Sequence, residues 1–101
     1  MNIPTIFESE YRLCLLIWEY EPIRSGALVN LCQSRLHWSK STTYTVIRRL
    51  SDRGVLENHN AVVRSLTPKE QVQDALLESV LVKYFEGSVP SLSAALSRIT
   101  K

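Results

Sequence analysis

Apolar residues recur along this chain first at the helical period, then briefly at the extended one, then at the helical period again. From about Glu8 to Glu19, Tyr11, Cys14, Ile17 and Trp18 fall three and four apart, which predicts one buried helical face. Glu8 and Glu10 lie in the first turn, where the helix dipole favours negative charge, and Pro22 stops the run. A second helix is predicted from a Ser25 N-cap to about Arg35, with Leu28, Leu31 and Cys32 as its stripe. The link Leu36-His37-Trp38 leads to a third helix from about Ser41 to Arg53, closed by Gly54. Thr43, Val46 or Ile47, and Leu50 form its inner face, and Ser41, Thr42, Tyr44, Thr45, Arg48 and Arg49 its outer one. Its threonines and valine are poor helix formers, so tertiary packing must hold it.

Val55-Leu56-Glu57 and the run Val62 to Leu66 read as two short strands turned at His59-Asn60. An isolated hairpin is marginal in water, so this one must lean on the helices. Thr67-Pro68-Lys69-Glu70 combines a cap, a proline suited to the first helical position and a capping-box glutamate. The fourth helix runs from there to about Phe85 and ends at Gly87. Pro90-Ser91 opens a last short helix with Leu92, Ala95, Leu96 and Ile99 on one side. The expected fold class is therefore mostly α, five helices and one hairpin.

Length and charge narrow the class. A chain of 101 residues accommodates one domain, or a small domain with an appendage, and 45% hydrophobic content argues against wholesale disorder. The net charge is +2, but it is uneven: residues 38–66 carry +3, against −1 before them and 0 after. The longest apolar run, Leu13 to Trp18, is far too short to span a bilayer. The opening MNIPTIFESE lacks the pattern of a signal peptide, and two isolated cysteines, Cys14 and Cys32, suit a reducing compartment; a cytoplasmic protein is expected. No Ser-His-Asp order, carboxylate pair or Gly-rich phosphate loop can be assembled, so no enzyme and no cofactor are expected. His37 and His59 have no zinc-site spacing to the cysteines.

Three helices followed by a hairpin is the winged helix-turn-helix order. A major groove about 12 Å wide admits one helix, read by its N-terminal half. On the third helix, Tyr44, Thr45 and Arg48 suit base edges, while Lys40, Ser41, Thr42 and Arg49 suit phosphates and sugars. His59, Asn60 and Arg64 of the hairpin are further candidates for the backbone. In the fourth and fifth helices, Val72, Leu76, Leu77, Val80, Leu81, Tyr84, Phe85, Leu92 and Leu96 would leave a large apolar patch on a monomer, and a second copy would cover it. The expected organisation is a winged-helix DNA-binding domain over 1–66 and a helical dimerisation region over 67–101. A second reading makes the third helix a protein-docking face; more apolar residues would then be expected there.

The run HWSKSTTYTVIRRLSDRGVLE, with ESEYRLCLLIWE before it and FEGSVPSLSAAL near the end, resembles the penicillinase-repressor family of bacterial transcription regulators (the BlaI/MecI/CopY group). The matching pieces are the Trp18 ending of the first helix, Trp38-Ser39, Arg49-Leu50 and Arg53-Gly54-Val55-Leu56. The resemblance implies a homodimer on an inverted-repeat operator in double-stranded DNA, acting as a repressor. It also implies a regulatory protease as partner, because the β-lactam-responsive members are cut at an Asn-Phe bond near the C-terminus. This chain has no Asn-Phe pair, the nearest counterpart being about Arg98-Ile99, and no cysteine after Cys32 to match the copper-responsive members' tail.

Overall fold

The computed structural model describes residues 6–101, so the first five residues of the segment inspected for targeting lie outside it. The chain divides into two compact units, one ending at Lys69 and one spanning Glu70–Lys101.

In the first unit, α1 (Glu8–Tyr20) buries Leu13, Cys14, Leu16 and Ile17. The buried face is rotated from the expected one: Tyr11 and Trp18 are only half-buried and meet edge to face, 5.7 Å between ring centroids. Their polar edges keep them at the rim, and the Trp18 indole N–H donates to the Thr67 carbonyl at 3.1 Å. Then come β1 (Ile23–Arg24) and α2 (Ser25–Leu36). Ser25 does not cap α2; it is the first helical residue, buried, with Arg24 at the cap position and no side-chain capping bond. Leu28, Val29 and Cys32 are buried, and Leu31 is half-buried, so Val29 takes the place expected for Leu31.

The turn after α2 closes on a left-handed residue. His37 has φ 58°, and the Trp38 N–H reaches back six residues to the Cys32 carbonyl at 3.2 Å. α3 (Lys40–Asp52) follows, burying Thr43 and Leu50 as expected and both Val46 and Ile47 rather than one of them. Gly54, at φ 77°, ends it in a conformation that favours glycine.

The hairpin is β2 (Leu56–His59) and β3 (Val62–Ser65). The strands are shifted from the expected ones: Val55 and Leu66 lie outside the ladder, and His59 lies inside it, paired with Val62. The turn is Asn60-Ala61, both at positive φ, rather than His59-Asn60. Two left-handed residues give the twist that a two-residue hairpin needs. The hairpin is also not alone. β1 pairs antiparallel with β3, Ile23 opposite Val63 and Arg24 opposite Val62, giving a three-stranded sheet of order β1-β3-β2. The core of this unit holds Leu13, Ile17, Leu28, Leu50, Leu56 and Val63, each nearly inaccessible.

The second unit contains α4 (Lys69–Phe85), whose first residue belongs to the preceding unit, and α5 (Val89–Ile99). α4 begins one residue after Pro68 rather than at it. At its end, Glu86 and Gly87 are both left-handed, and the Gly87 N–H returns to the Leu81 carbonyl at 3.0 Å. α5 opens earlier than expected. Ser88 caps it by accepting the Ser91 N–H at 3.2 Å, which places Pro90 inside the first turn. Among the described residues no helix is long and apolar enough to cross a membrane.

Candidate nucleic-acid interface

The candidate surface is built on α3. Because Thr43, Val46, Ile47 and Leu50 turn inward, the helical period forces Lys40, Ser41, Thr42, Arg48 and Arg49 outward, and all five are exposed. Tyr44 and Thr45 are half-buried on the flanks of that face. Among the described residues no large apolar side chain is exposed on α3.

The helix start is locked by hydroxyls. Ser39 is the N-cap: its Oγ accepts the Thr42 N–H at 3.1 Å and donates to Thr42 Oγ1 at 2.9 Å. Ser41 Oγ lies 3.3 Å from Ser39 Oγ, and the buried Thr43 hydroxyl donates to the Ser39 carbonyl at 3.2 Å. These bonds leave the first turn of α3 as an exposed, hydroxyl-rich, positively polarised end with Lys40 beside it, and such an end favours anions. The expected start of α3 at about Ser41 left Ser39 outside the helix. Several neighbouring Ser and Thr residues could each have capped it, and only the observed start at Lys40 selects Ser39.

The hairpin adds the other candidates. α3 packs against β2, so the sheet lies beside the helix. His59, Asn60 and Arg64 are exposed. Arg64 has a partner on the facing strand, its Nε 3.6 Å from Glu57 Oε1. Both side chains are about half exposed, so water screens that pair and it contributes little to stability. Arg24 is an exposed cation on β1 that no local pattern singles out. It joins the hairpin only through strand pairing, which two residues after a proline do not announce.

Arg53, counted with the basic segment, lies one turn beyond Arg49 and pairs with the buried Glu10. Cys14 and Cys32 are free and buried, and burial raises both thiols, so neither offers a thiolate at neutral pH. Among the described residues no three His, Cys, Asp or Glu side chains come together to hold a metal.

In the second unit, Leu76, Leu77, Val80, Tyr84 and Leu96 are exposed, and Leu81, Phe85 and Leu92 are half-buried. Val72 departs from the expected set: at 1% exposure it has no area left to bury against a second copy. Val82, Val89 and Ile99, outside the expected set, are exposed apolar side chains as well.

A capped third helix after a tight turn, backed by two helices and flanked by a small antiparallel sheet, defines a winged helix-turn-helix protein. The sequence model described as penicillinase repressor matches residues 6–101, and the chain belongs to the penicillinase repressor family. Its fold is similar to that of BlaI from Bacillus licheniformis, solved in solution as the monomeric form in complex with the blaP half-operator. The TM-score is 0.59 at 22% identity, over 68% of this chain and 89% of that one. The sequence is also similar to an uncharacterized 16.5 kDa protein in the ptsI 3′ region of Latilactobacillus sakei, 28% identical over 85 residues and 76% of this chain. The chain spans 58% of that relative's length.

Proposed function

We propose that this protein is a DNA-binding transcriptional repressor that reads an inverted-repeat operator as a homodimer. The observation that carries the reading is the outward face of α3. Hydroxyls, two arginines and a lysine are exposed there, with no exposed large apolar side chain, on a helix whose start is fixed by the Ser39 cap. Tyr44, Thr45 and Arg48 would meet base edges, where arginine suits guanine and a threonine methyl suits thymine. Lys40, Ser41, Thr42 and Arg49 would hold phosphates, with His59, Asn60 and Arg64 of the wing along the backbone. The half-operator bound by BlaI supports the same use of the fold here.

Dimerisation follows from the modest charge and from the exposed apolar side chains of α4 and α5. One subunit offers few phosphate contacts, so its affinity at physiological salt would be low. Pairing through Leu76, Leu77, Val80, Leu81, Tyr84, Phe85, Leu92 and Leu96 would double the contacts and set two α3 helices about 34 Å apart, one turn of DNA. A protein-docking role for α3 is disfavoured by the lack of exposed apolar anchors on it.

The test is selection of bound duplexes from a random pool. Enrichment of an inverted repeat, with binding that weakens steeply as salt rises, is expected. A pool that stays unenriched at low salt would overturn the reading.

A further inference from the structure

The buried charge of the winged-helix unit lies at the C-terminal end of α3, one turn beyond Arg49. Glu10 is 4% exposed, and among the described residues it is the one charged side chain in the core. Its carboxylate accepts the Phe7 N–H at 3.0 Å, which closes the start of α1. It also accepts from the guanidinium of Arg53, the C-cap residue of α3. That guanidinium sits over the Phe7 ring, 5.9 Å from its centroid, and its Nε donates to the Arg49 carbonyl at 3.3 Å. The same side chain therefore grips the last turn of α3 and the first turn of α1, across 43 residues of sequence.

The apolar face of α3 resists separation from the core, but apolar contact is non-directional and fixes rotation and slide only loosely. A charge-assisted hydrogen bond in a buried setting is directional. α3 also has low intrinsic helix propensity, so its geometry depends on what clamps its ends. Ser39 clamps the N-terminal end, and Glu10–Arg53 clamps the C-terminal one.

Resting on the DNA-reading role given above, we propose that Glu10 and Arg53 are positioning residues. Their pair sets the rotation of α3 so that Tyr44, Thr45 and Arg48 meet base edges together, and neither residue touches DNA. The sign of the effect separates this from simple electrostatics. Glu10→Gln raises the net charge by one, which alone would tighten binding to any duplex. The amide still offers an oxygen to the Phe7 N–H but no charge to Arg53. Loss of positioning weakens only specific binding, because non-specific binding does not need base register.

The experiment compares wild type, Glu10→Gln and Arg53→Lys in the full chain. Affinity is read by fluorescence anisotropy on the selected operator and on unrelated duplex, at two salt concentrations. Backbone amide exchange is followed without DNA. For Glu10→Gln, operator affinity is expected to fall about 10-fold, unrelated-duplex affinity to hold or rise, and the salt slope to stay the same. Exchange should quicken at Leu50–Arg53 while α2 amides keep their rates. Arg53→Lys, which keeps the charge but loses the planar fork, should shift both in the same direction by less. An unchanged ratio of specific to non-specific affinity, or quickening shared evenly by α1, α2 and α3, would overturn the proposal. If wild type selects no operator, the DNA-reading role fails, while the exchange measurement still decides whether the pair clamps α3. If Glu10→Gln does not fold, Arg53→Lys carries the same comparisons: unchanged Leu50–Arg53 exchange and an unchanged affinity ratio would overturn the proposal, and a smaller shift of both in the same direction would uphold it.

Discussion

The Glu21 carboxylate takes both polar hydrogens of Ser65: the backbone N–H at 2.7 Å and the hydroxyl at 2.8 and 3.0 Å to its two oxygens. This joins the end of α1 to the end of β3, next to the ladder where β1 pairs with β3. Glu21→Ala should cost about 1–3 kcal/mol, the range for hydrogen bonds to a charged acceptor, with the Ser65 N–H left unpaired. Ser65→Ala should cost less, because its N–H bond to Glu21 survives. Urea unfolding checks both, and equal midpoints for wild type and Glu21→Ala would show the contact to be incidental.

The Ser39 cap separates stability from affinity. Ser39→Ala removes the acceptor of the Thr42 N–H and should destabilise by about 1 kcal/mol. Ser39→Asp restores an acceptor and adds a charge that the helix dipole favours, so stability should return to that of wild type or exceed it. The same charge would repel a phosphate approaching the first turn of α3. Duplex affinity should therefore fall in the aspartate variant although the fold is sound, as anisotropy and thermal melting together would show.

The inner face of α3 was legible because Thr43 and Leu50 lie two turns apart with Val46 or Ile47 between them, and the outer face followed by subtraction; the helix buries both Val46 and Ile47. The contacts that fix the unit were not legible. Glu10–Arg53 and Glu21–Ser65 join residues 43 and 44 apart, and nothing in local pattern pairs a carboxylate with one distant partner rather than another. β1 is two residues long and exists only through its register with β3. Ala61 at φ 62° defies turn chemistry, which pointed to His59-Asn60; strand twist imposed it. On α4, Val72 belongs to the same apolar spacing as Leu76 and Val80, and periodicity could not tell the buried member from the exposed ones.

Alkaline pH should destabilise the fold through Cys14. Burial, with the Glu10 carboxylate adding to it and Arg53 opposing, pushes this thiol from 9.0 up to about 12. The folded chain therefore holds the proton more tightly than the unfolded chain does. That stabilisation is intact below pH 9 and is lost as pH rises from 9 toward 12. Between pH 7 and pH 10, wild type should lose about 1 kcal/mol more than Cys14→Ala. Paired urea titrations at the two pH values measure the difference, and parallel losses would contradict it.

The apolar face of the second unit predicts self-association. Leu96 is 48% exposed on α5 and Leu77 is 52% exposed on α4. Leu96→Asp and Leu77→Asp should shift a dimer to monomer in sedimentation equilibrium, while circular dichroism keeps its helical signal, since burying an unpaired carboxylate at an interface is costly. A wild type that sediments as a monomer at micromolar concentration would remove the interface.

The most direct test of the α3 reading is a residue-by-residue map of contact in solution. Isotope-labelled protein titrated with duplex DNA should show amide shifts concentrated at Ser39–Arg49 and at the hairpin turn around His59–Ala61, with the interior of α2 nearly unmoved. Shifts confined to α4 and α5, or none at all at low salt, would contradict the account.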